Sequence, residues 1–310
     1  MSMAMPAQQP ARGLDTVALA VLVVLCASWG VQQVSVKFAL AEVPPTAQMT
    51  IRCAGAALVV LIAAFARGVN IFRRDGSLPV GLLIGLFFSS EFLFLFYGLQ
   101  HTDASRSVLF MYTSPFFVAI GAIFLLPGER MSRMQWAGLL VSFLGVAVAV
   151  GDGLIRGGES RTLFGDFLSL MAGLGWAATT LTLKRSRLAT APFEKVLFYQ
   201  LAVATVVGAV LMLVTGERIT VSLSAPTVGV MIYQTLWVTG ITYLVWFKLM
   251  SMYPAGPLQS ATTMTPLFGI AAGVAFLGEP MSPGFGVAVA LMLAGLVLVS
   301  RRSRTKARAA

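Results

Sequence analysis

Of the 310 residues, 57% are hydrophobic and 11% charged, about half the charge of a soluble domain, and a water-soluble fold is excluded because it could not hide that much apolar surface. The formal net charge of +10 does not mark a nucleic-acid binder, since the basic residues fall in short clusters between apolar segments and in the tail Arg301, Arg302, Arg304, Lys306 and Arg308. Anionic lipid headgroups are the expected partner instead.

A spanning helix takes about 20 predominantly apolar residues. Runs of that kind predict ten spans, at 16–40, 47–66, 78–99, 104–126 and 134–150, then 163–183, 193–214, 228–250, 255–277 and 283–300. The runs are continuously apolar rather than alternating, which rules out β-barrel strands and leaves helices as the way to satisfy the backbone in lipid. The first run is too long for a signal peptide, and Leu25-Cys26 offers no clear small-residue cleavage site. Cys26 and Cys53 both lie inside spans and read as small buried hydrophobes rather than a disulfide framework. With the amino terminus inside, 16 Lys and Arg residues fall on the cytoplasmic side and 6 on the other. That bias places residues 1–15 and 301–310 in the cytoplasm.

The second half repeats landmarks of the first. Trp29 to Lys37 is 8 residues, as is Trp176 to Lys184; Ala104 to Pro115 is 11, as is Ala255 to Pro266; Glu129 to Gly145 is 16, as is Glu279 to Gly295. The offsets of 147, 151 and 150 drift as loop lengths do between two copies of one unit. The copies are expected at 16–151 and 163–300, joined by an extracytoplasmic linker at 152–162. Five helices is an odd number, so the second copy enters the membrane inverted, the arrangement of a transporter that opens a central path to each side in turn.

The landmarks also carry a family resemblance. Ser28-Trp29-Gly30 with Lys37, then Ala104-Ser105, Ser114-Pro115 and Gly128-Glu129-Arg130, are echoed by Trp176 with Lys184, Ala255-Gly256, Thr265-Pro266 and Gly278-Glu279-Pro280. Over nearly its whole length the chain resembles the EamA type of the drug/metabolite transporter superfamily. Pro280 stands where the first copy has Arg130, and an extra Pro127 precedes the first Gly-Glu. The resemblance implies secondary transport of small organic metabolites, commonly export of amino acids or similar compounds, without ATP, through the inner (plasma) membrane of a bacterium.

Read singly, the residues leave alternatives open. Glu91 lies 13 residues past Leu78, roughly 20 Å into the membrane at about 1.5 Å per residue, where a carboxylate must be paired or face water. It is either a charge partner for Arg52, at comparable depth, or a proton site for coupled transport. Ser28, Gln32 and Ser35 form an i, i+4, i+7 stripe on the first helix that either bonds neighbouring helices or lines a hydrated path. Trp29 and Trp176, near mid-membrane in both copies, are expected with Gln32, Tyr97, Tyr112 and Tyr243 to line a substrate cavity between the first, third, fourth, sixth, eighth and ninth helices. Gln100, Gln234 and Trp237 are expected to pack. Lys37 and Lys184 should snorkel to headgroups, and Pro115 and Pro266 should kink the fourth and ninth helices. Gly138, Gly145, Gly286 and Gly295 fit close helix contacts.

A passive channel is the alternative function, although no pore-lining ring or re-entrant loop is evident. An enzyme is disfavoured. His101 is the single histidine and is expected to bond Asp103, and neither His-Glu-x-x-His nor a phosphate-cradling Gly-x-x-x-x-Gly-Lys-Ser/Thr pattern occurs. No cofactor, metal site or catalytic residue is expected. The substrate, the coupling ion and the oligomeric state are not legible.

Overall fold

The computed structural model describes residues 15–126, 131–155, 160–219, 223–253, 258 and 261–300. The first Gly-Glu motif (Gly128, Glu129), the pair Ala255-Gly256 and both expected cytoplasmic tails, apart from Asp15, lie outside them.

The described residues form helices and connecting turns. The helix α1 spans Thr16–Ala39, with the Asp15 carboxylate accepting from the Ala18 N–H at 2.8 Å as its cap. Next come α2 (Pro45–Ala66), begun by a proline whose missing N–H costs nothing there, and α3 (Leu78–Leu99). The expected span 104–126 is two helices, α4 (Ala104–Met111) and α5 (Ser114–Leu125). Pro115 therefore sits in the first turn of α5, just past an interruption of the span at Tyr112 and Thr113. It can give no hydrogen bond to the carbonyl four residues back, which belongs to Met111, where α4 ends.

Beyond it lie α6 (Arg133–Ile155), α7 (Ser160–Arg185), a 3-10 turn (Arg187–Thr190) and α8 (Phe193–Thr215). Helix extends to Ile155 and resumes at Ser160, both within the expected linker 152–162. The eighth span runs as α9 (Ala225–Ile232), a π-helical segment (Tyr233–Thr242) and α10 (Tyr243–Met252). A 3-10 turn (Thr262–Met264) leads into α11 (Thr265–Leu277), where Pro266 again occupies the first turn, and α12 (Pro283–Ser300) ends the described chain.

Seven helical stretches among the described residues are long and apolar enough to cross a membrane: α1, α2, α3, α4 with α5, α6, α8, and α9 through α10. The apolar stretches Thr262–Leu277 and Pro283–Val299 are shorter, and α7 carries Arg161, Asp166, Lys184 and Arg185 along its length. Phe65, Leu213 and Phe124 point outward and lie exposed, an arrangement that water would penalise and hydrocarbon would not.

The packing repeats as the sequence does. The helices α2 and α8, at matched places in the two copies, pack on each other, as do α6 and α12; α1 meets α11 just as α7 meets α4 and α5. In the α6–α12 seam, a Cβ on Gly295 would lie 2.5 Å from the Gly138 carbonyl oxygen and 2.8 Å from the Ser142 nitrogen. With a Cβ, Gly138 and Gly145 would face backbone at 2.8 and 2.9 Å, so three of the four expected glycines make contacts that no larger residue could without a shift. Gly286 has nothing within 4 Å and is not one of them.

Candidate functional site

Arg52 of α2 is fully buried in the largest core cluster, among side chains of α1, α3 and the π segment. Its Nε donates to Thr239 Oγ1 at 2.5 Å. With the Gln32 amide turned to present its oxygen, Nη1 and Nη2 donate to that oxygen at 3.1 and 3.3 Å. The guanidinium lies 4.4 Å from the centre of the Phe92 ring and 5.6 Å from that of Phe96. Neutral acceptors and ring faces thus hold a cation in the core without a carboxylate.

Glu91 of α3 is 6% exposed, and its carboxylate makes no direct hydrogen bond or ion pair with a described residue. Arg52, Tyr112 and Tyr243 all lie within its electrostatic reach. The expected charge pair is thus not a contact pair: an arginine and a carboxyl group share the core with no hydrogen bond or ion pair between them, and Tyr243 lies within reach of both. Both amide atoms of Gln234, on the π segment, are likewise buried without a hydrogen-bond partner among the described residues.

The expected aromatic residues separate into three places. Trp29 donates from Nε1 to Thr242 Oγ1 at 2.8 Å and meets Tyr243 and Trp246 edge-on at 6.3 and 5.5 Å. Nearby, Trp237 Nε1 donates to Ser28 Oγ at 2.8 Å and Tyr233 donates to the Ser28 carbonyl at 3.0 Å, so of the polar stripe of α1 Ser28 meets the π segment while Gln32 meets Arg52. Ser35 instead turns back to the Gln32 carbonyl. Tyr112, at the break between α4 and α5, meets Trp176 edge-on at 5.8 Å. Tyr97 stands apart, donating to Glu217 at 2.6 Å at the far end of α3.

Two grooves flank this region. One, of about 480 Å³, is lined mainly by Val31, Val34, Phe38, Val230, Phe276 and Leu277 and is nearly all apolar. The other, of about 330 Å³, includes Tyr97, His101 and Phe164. Of the six expected lining residues only Tyr97 borders either groove.

Several other expectations need correction. Lys37 does not snorkel: its Nζ donates to the Thr102 carbonyl at 2.8 Å and pairs with Asp103 at 3.2 Å and Glu279 at 3.4 Å. Asp103 is thereby taken from His101, whose Nδ1 accepts from Arg161 at 3.1 Å. Burial, then the Arg161 charge, hold the His101 imidazole below its ordinary pKa. Sequence reasoning also missed a buried pair joining α4 to α7. Arg106 grips Asp166 through Nη2 at 2.5 Å and Nε at 3.1 and 3.2 Å, while Thr102 donates to the same carboxylate at 2.6 Å. Opposite charges a few residues inside two spans were the available signal.

With this geometry in hand, the sequence profile of the EamA-like transporter family matches residues 16–151 and again 163–301. Uncharacterized transporter YvbV of Bacillus subtilis (strain 168) is 27% identical, covering 94% of this chain and 93% of its own. A protein of Salmonella typhimurium (strain LT2) described as a probable amino-acid metabolite efflux pump is 27% identical over 90% of this chain and 93% of its own. A solved crystal structure aligns with a TM-score of 0.66 at 20% identity, covering 92% of this chain and 96% of that one, and shares the fold. Two family matches spanning nearly the whole chain, on a helical multi-pass membrane protein, settle the assignment: the chain belongs to the EamA-like transporter family.

Proposed function

We propose that the chain is a secondary active transporter that exports amino acids or related small organic metabolites by alternating access. In this reading ten helices form two inverted repeats, 16–151 and 163–300, with both termini in the cytoplasm and the inner (plasma) membrane as the site of action. The path runs between the two copies, past Trp29, Gln32, Tyr112, Trp176 and Tyr243, with Tyr97 nearer one mouth. The observation that carries the reading is the pair of buried ionisable groups, Arg52 and Glu91, which share the membrane core with no hydrogen bond or ion pair between them.

Charges at that depth are costly unless they serve a hydrated path. Arg52 is satisfied by Gln32 and Thr239, whereas Glu91 has no direct partner among the described residues, which suits it to bind a proton or the ammonium of a passing substrate. The family name and the efflux-pump relative support transport rather than catalysis. Growth of a bacterium expressing the chain on a panel of toxic amino-acid analogues tests the substrate and the direction together. Resistance to one class is expected; unchanged sensitivity across the panel, with the protein present in the membrane, would end the amino-acid reading.

A further inference from the structure

On one face of the molecule four carboxylates reach from one copy to a helix N-terminus of the other. Glu279, just after α11, accepts from the N–H groups of Ala104 at 2.6 Å and Ser105 at 2.8 Å in the first turn of α4. Glu217 accepts from the Thr46 N–H at 3.2 Å, at the start of α2, and from the Thr46 hydroxyl. Glu42 accepts from the N–H and the hydroxyl of Ser224, both at 2.7 Å, at the cap of α9. Asp152 accepts at 2.7 Å from the Ser282 hydroxyl, whose oxygen accepts from the Phe285 N–H at 2.8 Å at the start of α12. Each places a negative charge where the helix dipole and unpaired N–H groups favour one.

Glu279 differs from the others in what it joins. It links α11 to α4 and, through Lys37, to α1, the helices that flank the path proposed above. The carboxylate is almost fully buried, its side chain 4% exposed. Two glycines put it there. Gly278 ends α11 at φ +66° and turns the chain back, and at Gly273 a Cβ would overlap the Glu279 carboxylate.

We propose that Glu279 is a latch between the two copies: its carboxylate shuts the mouth bounded by α1, α4 and α11, and opening that mouth requires it to leave the α4 N-terminus. The latch rests on the transporter reading for its purpose, but its test needs no substrate. Bonds from backbone N–H groups to an ionised acceptor are stronger than neutral ones. The uncharged amide introduced by Glu279→Gln would therefore hold the mouth shut less often.

The test places a reporter cysteine at Ser105, 2% exposed here, in the full chain with Cys26→Ala and Cys53→Ala. Its reaction with a membrane-impermeant maleimide is followed in right-side-out and inside-out vesicles. Glu279→Gln should raise the labelling rate about tenfold, from one side only. Gly273→Ala, which displaces the carboxylate and leaves its charge, should do the same. Labelling unchanged in both folded variants overturns the latch. So does failure of both variants to fold, which would make the contact purely structural. Faster labelling confined to inside-out vesicles supports the latch and overturns the proposed topology instead. Faster labelling in a protein that moves no solute supports the latch and overturns the transport reading alone.

Discussion

Gly295→Ala, set against Gly286→Ala, tests whether the seam between α6 and α12 depends on close backbone approach. At Gly295 the added methyl would sit 2.5 Å from the Gly138 carbonyl oxygen, about 0.9 Å short of ordinary contact at 3.4 Å, and it would also meet Ser142. The obstacles include backbone that cannot rotate aside, so the two helices must separate. Overpacking of this kind costs roughly 1–3 kcal/mol, while replacing a helical glycine by alanine gains roughly 1 kcal/mol. At Gly286 nothing lies within 4 Å and only the gain remains. Gly295→Ala should therefore fall below Gly286→Ala by about 1–3 kcal/mol, read from unfolding midpoints in detergent by circular dichroism. Equal stability of the two variants would refute the reasoning and mean that the seam is looser than drawn.

Other outcomes follow from the same contacts. Glu91→Gln should leave the protein folded, because Arg52 is held by Gln32 and Thr239, while abolishing dependence of transport on a pH gradient; loss of folded protein would restore the structural-pair reading. Asp166→Asn should cost about 3–5 kcal/mol, since Arg106 would be left buried without its charge partner; an unchanged unfolding midpoint would contradict this. Asp75 is held well below the usual carboxylate range, first by its bond from Lys195 Nζ at 2.7 Å and then by Ser77. A depressed folded-state pKa stabilises the protein above the unfolded value, near pH 4, and the contribution disappears as pH falls through the folded one. Asp75→Asn should thus lower the unfolding temperature at neutral pH and make little difference in strong acid; a penalty of equal size at both would count against the Lys195 pair.

The helices were legible because a run of about 20 apolar residues has few other fates, and matched spacings revealed the duplication before any contact was known. Partnership was much less legible. Lys37 lies 66 residues from Asp103 and 242 from Glu279, so a lysine near a span end read as a snorkelling one. Pro115 announced an irregularity, but whether a proline bends or breaks a helix depends on its surroundings. Here Trp176 and Tyr112 pack at the break. Periodicity gave Tyr97 a depth and a face but not a neighbour, and Glu217, 120 residues on, was invisible from either. The π segment was missed because the polar residues that set Tyr233–Thr242 apart, Gln234 and three threonines, do not by themselves distinguish a wider turn from an ordinary helix; the Thr239 hydroxyl bonding the carbonyl of Gln234 five residues back belongs to that turn only in three dimensions.

Counterflow in proteoliposomes tests the central claim most directly. Vesicles holding the purified chain are preloaded with an unlabelled amino acid at high concentration and diluted into a trace of the labelled form, without any ion gradient. An alternating-access transporter predicts transient accumulation of label above equilibrium, saturable by external substrate and reduced by Trp29→Ala or Trp176→Ala. Uptake that climbs to equilibrium without overshoot and rises linearly with concentration would contradict the account and indicate a passive channel.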